Sequence, residues 1–160
     1  MLGMQERQLF DGSAADPYTQ IAKYHTLQEL NEWIASRLAE PIVAFVHSKR
    51  NQESKRLIGK AVDFIETNFQ YDLSLDQCAE VCGLSPHYLS KMFKKTMDVS
   101  FIEYLTSLRL EKAKQLLRET ELTVTDISEK VGYQPKNFIR VFKKQLGLTP
   151  GQYRGLPDKS

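Results

Sequence analysis

The sequence predicts an all-α fold: two similar two-helix units joined by a central connector helix, with an N-terminal helical extension. Three observations carry this. The stretch from Ser74 to Lys95 reads as two short helices with a tight turn between them. The same pattern returns 49 residues later, from Thr123 to Lys144 (74 + 49 = 123, 95 + 49 = 144). Between the two, Ser100 to Arg118 keeps a helical spacing of apolar residues with no internal glycine or proline.

In the first unit, Ser74 is placed to cap a helix, with Gln77 at the reciprocal capping-box position. Leu75, Cys78, Ala79 and Cys82 then fall on one face. Gly83 can supply the positive φ that ends a helix. Ser85 caps a second helix, and Pro86 suits its first position. Leu89, Met92 and Phe93 point inward, while His87, Ser90, Lys91 and Lys94 share the opposite face. This is a helix-turn-helix pattern.

The repeat turns a weak match into a strong one. Glu80, Gly83, Pro86, Phe93, Lys94 and Lys95 meet Glu129, Gly132, Pro135, Phe142, Lys143 and Lys144. Cys78 meets Ile127, Cys82 meets Val131, Leu89 meets Phe138 and Lys91 meets Arg140. Ser100 to Tyr104 meets Thr149 to Tyr153 beyond the helices. Self-similarity on this scale predicts two similar subdomains.

Charge placement is more informative than total charge. The net charge is only +2 over 160 residues. Yet Gly83 to Lys95 carries Lys91, Lys94 and Lys95 and no acid. Gly132 to Gly147 carries Lys136, Arg140, Lys143 and Lys144 and no acid. Basic residues on two equivalent helices suit a nucleic-acid backbone. The blander alternative is a pair of solvated helix faces.

The two cysteines are read as buried free thiols, because their repeat mates are Ile127 and Val131. His25, His47 and His87 form no metal-ligand set with them, so no metal or cofactor is expected. A reducing compartment, the cytoplasm, fits free thiols. The N-terminal residues lack a signal-peptide apolar run, and no run approaches membrane-span length. No glycine-rich phosphate loop occurs, and His87 has no carboxylate at helical spacing to orient it, so an enzyme is not expected.

The flanks are read as follows. Residues 1–25 form a polar arm. Residues 26–50 form a helical linker or partner-binding segment, with Thr26 and Glu29 as a capping box. Leu30, Trp33, Ile34, Leu38, Ile42, Phe45 and Val46 recur on one face, and Pro41 is expected to kink or divide the helix. That stripe, spanning 27–46, packs on the rest of the chain, pairs with a second copy, or covers a sensor or receiver domain outside this chain. Trp33 is read as core. Residues 47–54 are read as a hinge. Leu57, Ile58, Ala61, Val62 and Ile65 face inward on the next helix.

The connector over 100–118 has a third capping box in Ser100 and Glu103. Phe101, Ile102, Leu105, Leu108, Ala113, Leu116 and Leu117 give it more than one apolar side. Such a helix can hold a subdomain at each end. Eighteen residues at about 1.5 Å rise span roughly 27 Å. Successive major-groove faces on one side of DNA lie about 34 Å apart, within reach of the connector plus its subdomains. Arg109, amid apolar neighbours, is read as a structural hydrogen-bonding residue. Tyr153 to Pro157 is read as a frayed end.

Over residues 55–155 the chain resembles the AraC/XylS family of bacterial transcriptional regulators. The resemblance rests on Ile127-Ser-Glu-Lys-Val-Gly-Tyr133, Asn137-Phe-Ile-Arg-Val-Phe-Lys-Lys144 and Gly147-Leu-Thr-Pro-Gly-Gln-Tyr-Arg154. Ser85 to Lys95 and Leu108 to Leu117 carry it in the first unit and the connector. It implies seven helices, with units at about 55–98 and 119–155. It also implies that the second helix of each unit enters the major groove of double-stranded DNA. The family's base readers fall on His87, Ser90 and Lys91 in the first unit, and on Lys136, Asn137 and Arg140 in the second. Ser85, Lys94, Lys95, Lys143 and Lys144 are placed for phosphate contact.

Two positions depart from the family pattern. The turn before Asn137 is one residue short, and Asp98 stands where glycine is usual. Residues 1–54 are too few, and lack the strand pattern, for the family's sugar-binding sensor. They resemble instead the segment that precedes this domain in YesN-like response regulators or in large sensor-containing members, which implies that the chain is the output end of a larger protein. The expected function is sequence-specific DNA binding for transcription regulation, usually activation with RNA polymerase as a partner. The alternative is a nonenzymatic protein-interaction module built on the 27–46 stripe.

Overall fold

The computed structural model describes residues 22, 23 and 25–157. The arm expected over 1–25 therefore lies almost wholly outside the described residues. The chain divides into two units, one ending at Glu53 and the other starting at Ser54.

The first unit holds α1 (Leu27–Ile34), a π turn (Ala35–Ala39) and the first part of α2 (Glu40–Asn68). Thr26 and Glu29 form the expected capping box: the Thr26 hydroxyl accepts the Glu29 N–H at 3.2 Å, and the Glu29 carboxylate accepts the Thr26 N–H at 3.3 Å. The division expected at Pro41 is a π turn rather than a break. Proline lacks an N–H and crowds the preceding turn, and a widened turn just before it relieves both demands. Ile34 and Ile42 are eight positions apart, one more than a heptad, and the π turn takes up the extra residue.

The hinge expected over 47–54 lies on a continuous helix, since α2 runs through it, and the boundary between the two units, Glu53 to Ser54, falls inside it. The polar run His47 to Ser54 contains no glycine or proline, and polarity alone does not end a helix. Trp33 is half-buried rather than core, and α1 buries no residue. The outer part of the stripe is uncovered, with Ile34, Ile42, Phe45 and Val46 all exposed.

The second unit continues α2 and adds α3 (Leu75–Cys82), α4 (Pro86–Met97), α5 (Phe101–Glu119), α6 (Val124–Lys130), α7 (Pro135–Leu146) and α8 (Pro150–Arg154). These are the seven helices expected, in an all-α arrangement. They surround two cores. The first gathers Ile58, Ala61 and Ile65 of α2, Cys78 and Cys82 of α3, and Leu89, Met92 and Phe93 of α4. The second gathers Ile127, Val131, Phe138 and Phe142 under α6 and α7. Edge-to-face rings stiffen both, as in Phe93 on Tyr104 at 5.6 Å and Phe138 on Phe142 at 5.5 Å.

The connector α5 belongs to both cores. Phe101 and Leu105 enter the first, while Leu110, Ala113 and Leu117 enter the second. Ile102, counted among its apolar contacts from the sequence, is exposed instead. It sits on the first turn of α5 beside the exposed Glu103. Arg109 lies where the two halves meet and is buried. Its Nε donates to the Phe69 carbonyl and its Nη2 to the Tyr71 carbonyl, each at 2.7 Å. Its guanidinium also lies 4.9 Å from the Tyr133 ring. The structural role expected of Arg109 is the one it has.

The C-terminal segment is not frayed where the sequence suggested. Tyr153 packs edge-to-face on Phe142 at 5.6 Å. Arg154 donates to the carbonyls of Leu117 and Leu122, tying α8 to the end of the connector and the strap after it. Thr149 and Gln152 cap the helix reciprocally.

The repeat extends to individual hydrogen bonds. Gly83 N–H donates to the Glu80 carbonyl at 2.9 Å, and Gly132 N–H to the Glu129 carbonyl at 3.0 Å. Leu84 N–H donates to Ala79 and Tyr133 N–H to Ser128, at 2.9 and 2.8 Å. Both glycines have positive φ, 67° and 77°. Only Gly132 is also crowded: a Cβ there would sit 2.8 Å from the Phe69 and Gln70 carbonyl oxygens. Gly132→Ala should therefore cost at least about 2 kcal/mol, from the left-handed backbone and the clash with main chain together. Gly83→Ala, with open space around its Cβ, should cost about 1 kcal/mol. Urea denaturation of the two variants measures the difference, and equal losses would contradict the crowding argument.

Candidate nucleic-acid interface

The outward faces of α4 and α7 form the candidate site. Both helices have 12 residues and begin with proline at equivalent repeat positions, Pro86 and Pro135. The short turn before Asn137 therefore leaves the start of the second helix in register with the first. The starts differ in capping. Ser85 Oγ accepts the Tyr88 N–H at 3.3 Å, whereas Gln134 makes no side-chain cap. The first turn of α7 thus keeps amide donors that no capping side chain occupies. Gly147 ends α7 at φ 75°, and Asp98 ends α4 at φ 60°. Asp98 adopts the conformation that glycine takes more cheaply.

Every residue singled out from the sequence is exposed. His87, Ser90 and Lys91 lie on α4 with Lys94 and Lys95 one turn on, and Ser85 stands at the cap. Lys136, Asn137 and Arg140 lie on α7, followed by Lys143 and Lys144. On the opposite faces Leu89, Phe93, Phe138 and Phe142 are buried. Burial of one face fixes the rotation of each helix, and so fixes which side chains face outward. Asn137 and Arg140 are linked, with Arg140 Nη2 donating to Asn137 Oδ1 at 2.9 Å. That bond uses Asn137 Oδ1 as an acceptor and joins two exposed side chains one turn apart.

The repeat identifies an outward residue that family-based assignment passes over. Carried 49 positions on, Ser90 meets Ile139, not Asn137, and Ile139 is exposed. Asn137 is the mate of Tyr88, which is exposed as well. Comparing the two helices position by position would have found Ile139 in the sequence.

The thiols lie inside the first core. Cys78 Sγ faces the Ala61 carbonyl at 3.9 Å and Cys82 Sγ the Leu57 carbonyl at 3.7 Å. Both are free, and burial pushes the Cys78 thiol up to about 12. A thiol held protonated is a poor nucleophile and a poor metal ligand. Among the described residues, no group of three or more His, Cys, Asp or Glu could hold a metal ion. No described helix is long and apolar enough to cross a membrane.

Two helix-turn-helix units on one connector, each with a basic second helix facing outward, define a tandem helix-turn-helix domain. A helix-turn-helix domain family matches residues 78–155. The HTH-type transcriptional regulator YtdP of Bacillus subtilis is 38% identical over 138 residues, covering 86% of this chain and 18% of YtdP. The C-terminal domain of AraT, a response regulator from Geobacillus stearothermophilus, is 39% identical with a TM-score of 0.60. That match covers 65% of this chain and 93% of that domain. The C-terminal domain of the response regulator yesN from Fusobacterium nucleatum is 42% identical with a TM-score of 0.58, covering 62% and 96%. The chain carries a DNA-binding helix-turn-helix domain related to AraC-type and response-regulator output domains. It spans less than a fifth of the length of YtdP.

Proposed function

We propose that this chain is the sequence-specific DNA-binding output segment of a larger AraC/XylS-type regulator, reading two adjacent major-groove segments of one duplex. The observation that carries this reading is the pair α4 and α7. They stand in one repeat register, and each turns an exposed face with several cations and no acid outward. Lys91 and Arg140 are long donors suited to guanine edges, and the exposed amide of Asn137 suits adenine. His87, Ser90 and Lys136 complete the base-reading set. Ser85, Lys94, Lys95, Lys143 and Lys144 supply phosphate contacts, which position the domain without reading sequence. Activation, with RNA polymerase as the protein partner in the cytoplasm, is the direction favoured by the AraC/XylS resemblance. The small share of YtdP that the chain covers supports a role as the output part of a longer protein.

The two reader sets differ, so the two half-elements should differ and no palindrome is needed. Their centres should lie about 10–11 base pairs apart on one face of the duplex. Inserting 5 base pairs between them turns one element by about half a turn. Footprinting should then lose one of the two protected segments. Undiminished protection and affinity on the spaced site would refute rigid two-groove reading.

Substitution separates reading from charge. Lys143→Ala should weaken preferred and random sites by similar factors and lower the salt slope by about 1. Arg140→Ala should cost about 1–3 kcal/mol, mainly on the preferred site. Titrations of both variants on both DNAs, across salt, measure this. Equal loss on all sequences for Arg140→Ala would remove it from the reading set.

A second activity is favoured by the uncovered stripe on α1 and the start of α2. We propose that it pairs with a second copy of the chain. The alternatives are a sensor or receiver domain of the longer protein and, in a chain that does not bind DNA, a nonenzymatic interaction module. Replacing both Ile42 and Val46 with Glu places charge on exposed positions of the face. Sedimentation should show a concentration-dependent dimer for the parent chain and a monomer for the variant. A parent chain that stays monomeric throughout rejects self-pairing.

A further inference from the structure

Ile139 is an apolar side chain in a setting otherwise built for phosphate and base edges. It is 42% exposed on α7, where Phe138 and Phe142 are fully buried and Val141 and Leu146 are partly buried against the second core. It lies one turn from Lys136 and from Lys143, at i−3 and i+4, so it shares their outward strip. Lone exposed apolar residues are common on protein surfaces and need no special account. Two observations set this one apart. Its repeat mate is Ser90, at an equivalent position on α4. Arg140, its neighbour in the chain, is tied to Asn137 by a side-chain bond at 2.9 Å, so Ile139 stands as the exposed apolar side chain between the polar readers and Lys143.

We propose that Ile139 reads thymine in the second half-element, by packing on the C5-methyl group in the major groove. This rests on the two-groove reading above and adds a residue and a base to it. The chemistry is selective. In the major groove, thymine alone of the four unmodified bases presents a methyl group, and a branched aliphatic side chain with no donor or acceptor can match nothing else there. Any polar base edge opposite Ile139 would lose water without gaining a hydrogen bond, which penalises the other bases. The α4 counterpart Ser90 can donate or accept and is tolerant of base identity. The second half-element should therefore contain a position with a strict thymine preference that the first lacks at the equivalent place.

Removing only the methyl tests this. The preferred site is first selected from random duplexes using the full 160-residue chain. Each thymine of the second half-element is then replaced, one at a time, by deoxyuridine, which keeps the base pair and deletes the C5-methyl. For the parent chain, one position should bind about threefold to fivefold more weakly, the equivalent of one buried methyl. Ile139→Ser should abolish sensitivity at that position, and Ile139→Val should retain most of it. Because Ile139 is exposed, unchanged thermal midpoints are expected and confirm that both variants fold. A flat deoxyuridine scan on a site that the parent chain binds specifically overturns the proposal and leaves the two-groove reading standing. So does a methyl effect that survives in Ile139→Ser. A chain with no sequence preference at all overturns both.

Discussion

The position of one guanidinium governs how the two helix-turn-helix units are joined. Arg109 sits at the middle of the connector and donates to two carbonyls in the segment that leaves α2. Those carbonyls lie just beyond the helix end, where main-chain acceptors have no helical partner. Without the guanidinium neither carbonyl would keep the side-chain donor it has here. Arginine suits this task because it remains charged when buried and its fork can serve two acceptors at once. Its flat face meets Tyr133, so one side chain ties the connector, the exit of α2 and the turn of the second unit.

Gly132 completes the arrangement from the opposite side. Its bare Cα lets the second turn approach the main chain at Phe69 and Gln70. Phe69 then packs against both cores. The two helix-turn-helix units therefore meet through backbone contact, a buried cation and a shared ring. Contacts of this kind define a relative placement more sharply than a flexible tether does, and the proposed two-groove reading needs a defined placement.

Much of this was legible because the sequence says it twice. Ser74 with Gln77 and Ser100 with Glu103 announced their helices through short-range hydrogen-bond chemistry. Thr123 with Asp126 forms the same box and was passed over, since Asp reaches back as Glu does but is the less usual partner. The inward faces followed from periodicity, down to Cys78 and Cys82 beneath α2. Local composition does not report tertiary contact. Tyr153 and Arg154 resembled a loose tail, yet a ring contact and two carbonyl bonds from distant segments hold them. The outward residues of α4 and α7 were readable from burial of the opposite faces. Ile139 is legible from the internal repeat, as the position 49 residues after Ser90, and not from the family correspondence.

The joint between the units also bears on how such domains can be recombined. Arg109, the carbonyls of Phe69 and Tyr71, Gly132 and Tyr133 come from three separate stretches of chain. A chimera that imported a foreign second unit from residue 119 onward would bring its own residue opposite Phe69. It would keep a donor evolved for a different neighbour. A transplant that carries the exit of α2, the middle of the connector and the second turn as one set preserves the joint. The two units are thus modular in sequence pattern but not in assembly, and the unit of exchange is the pair.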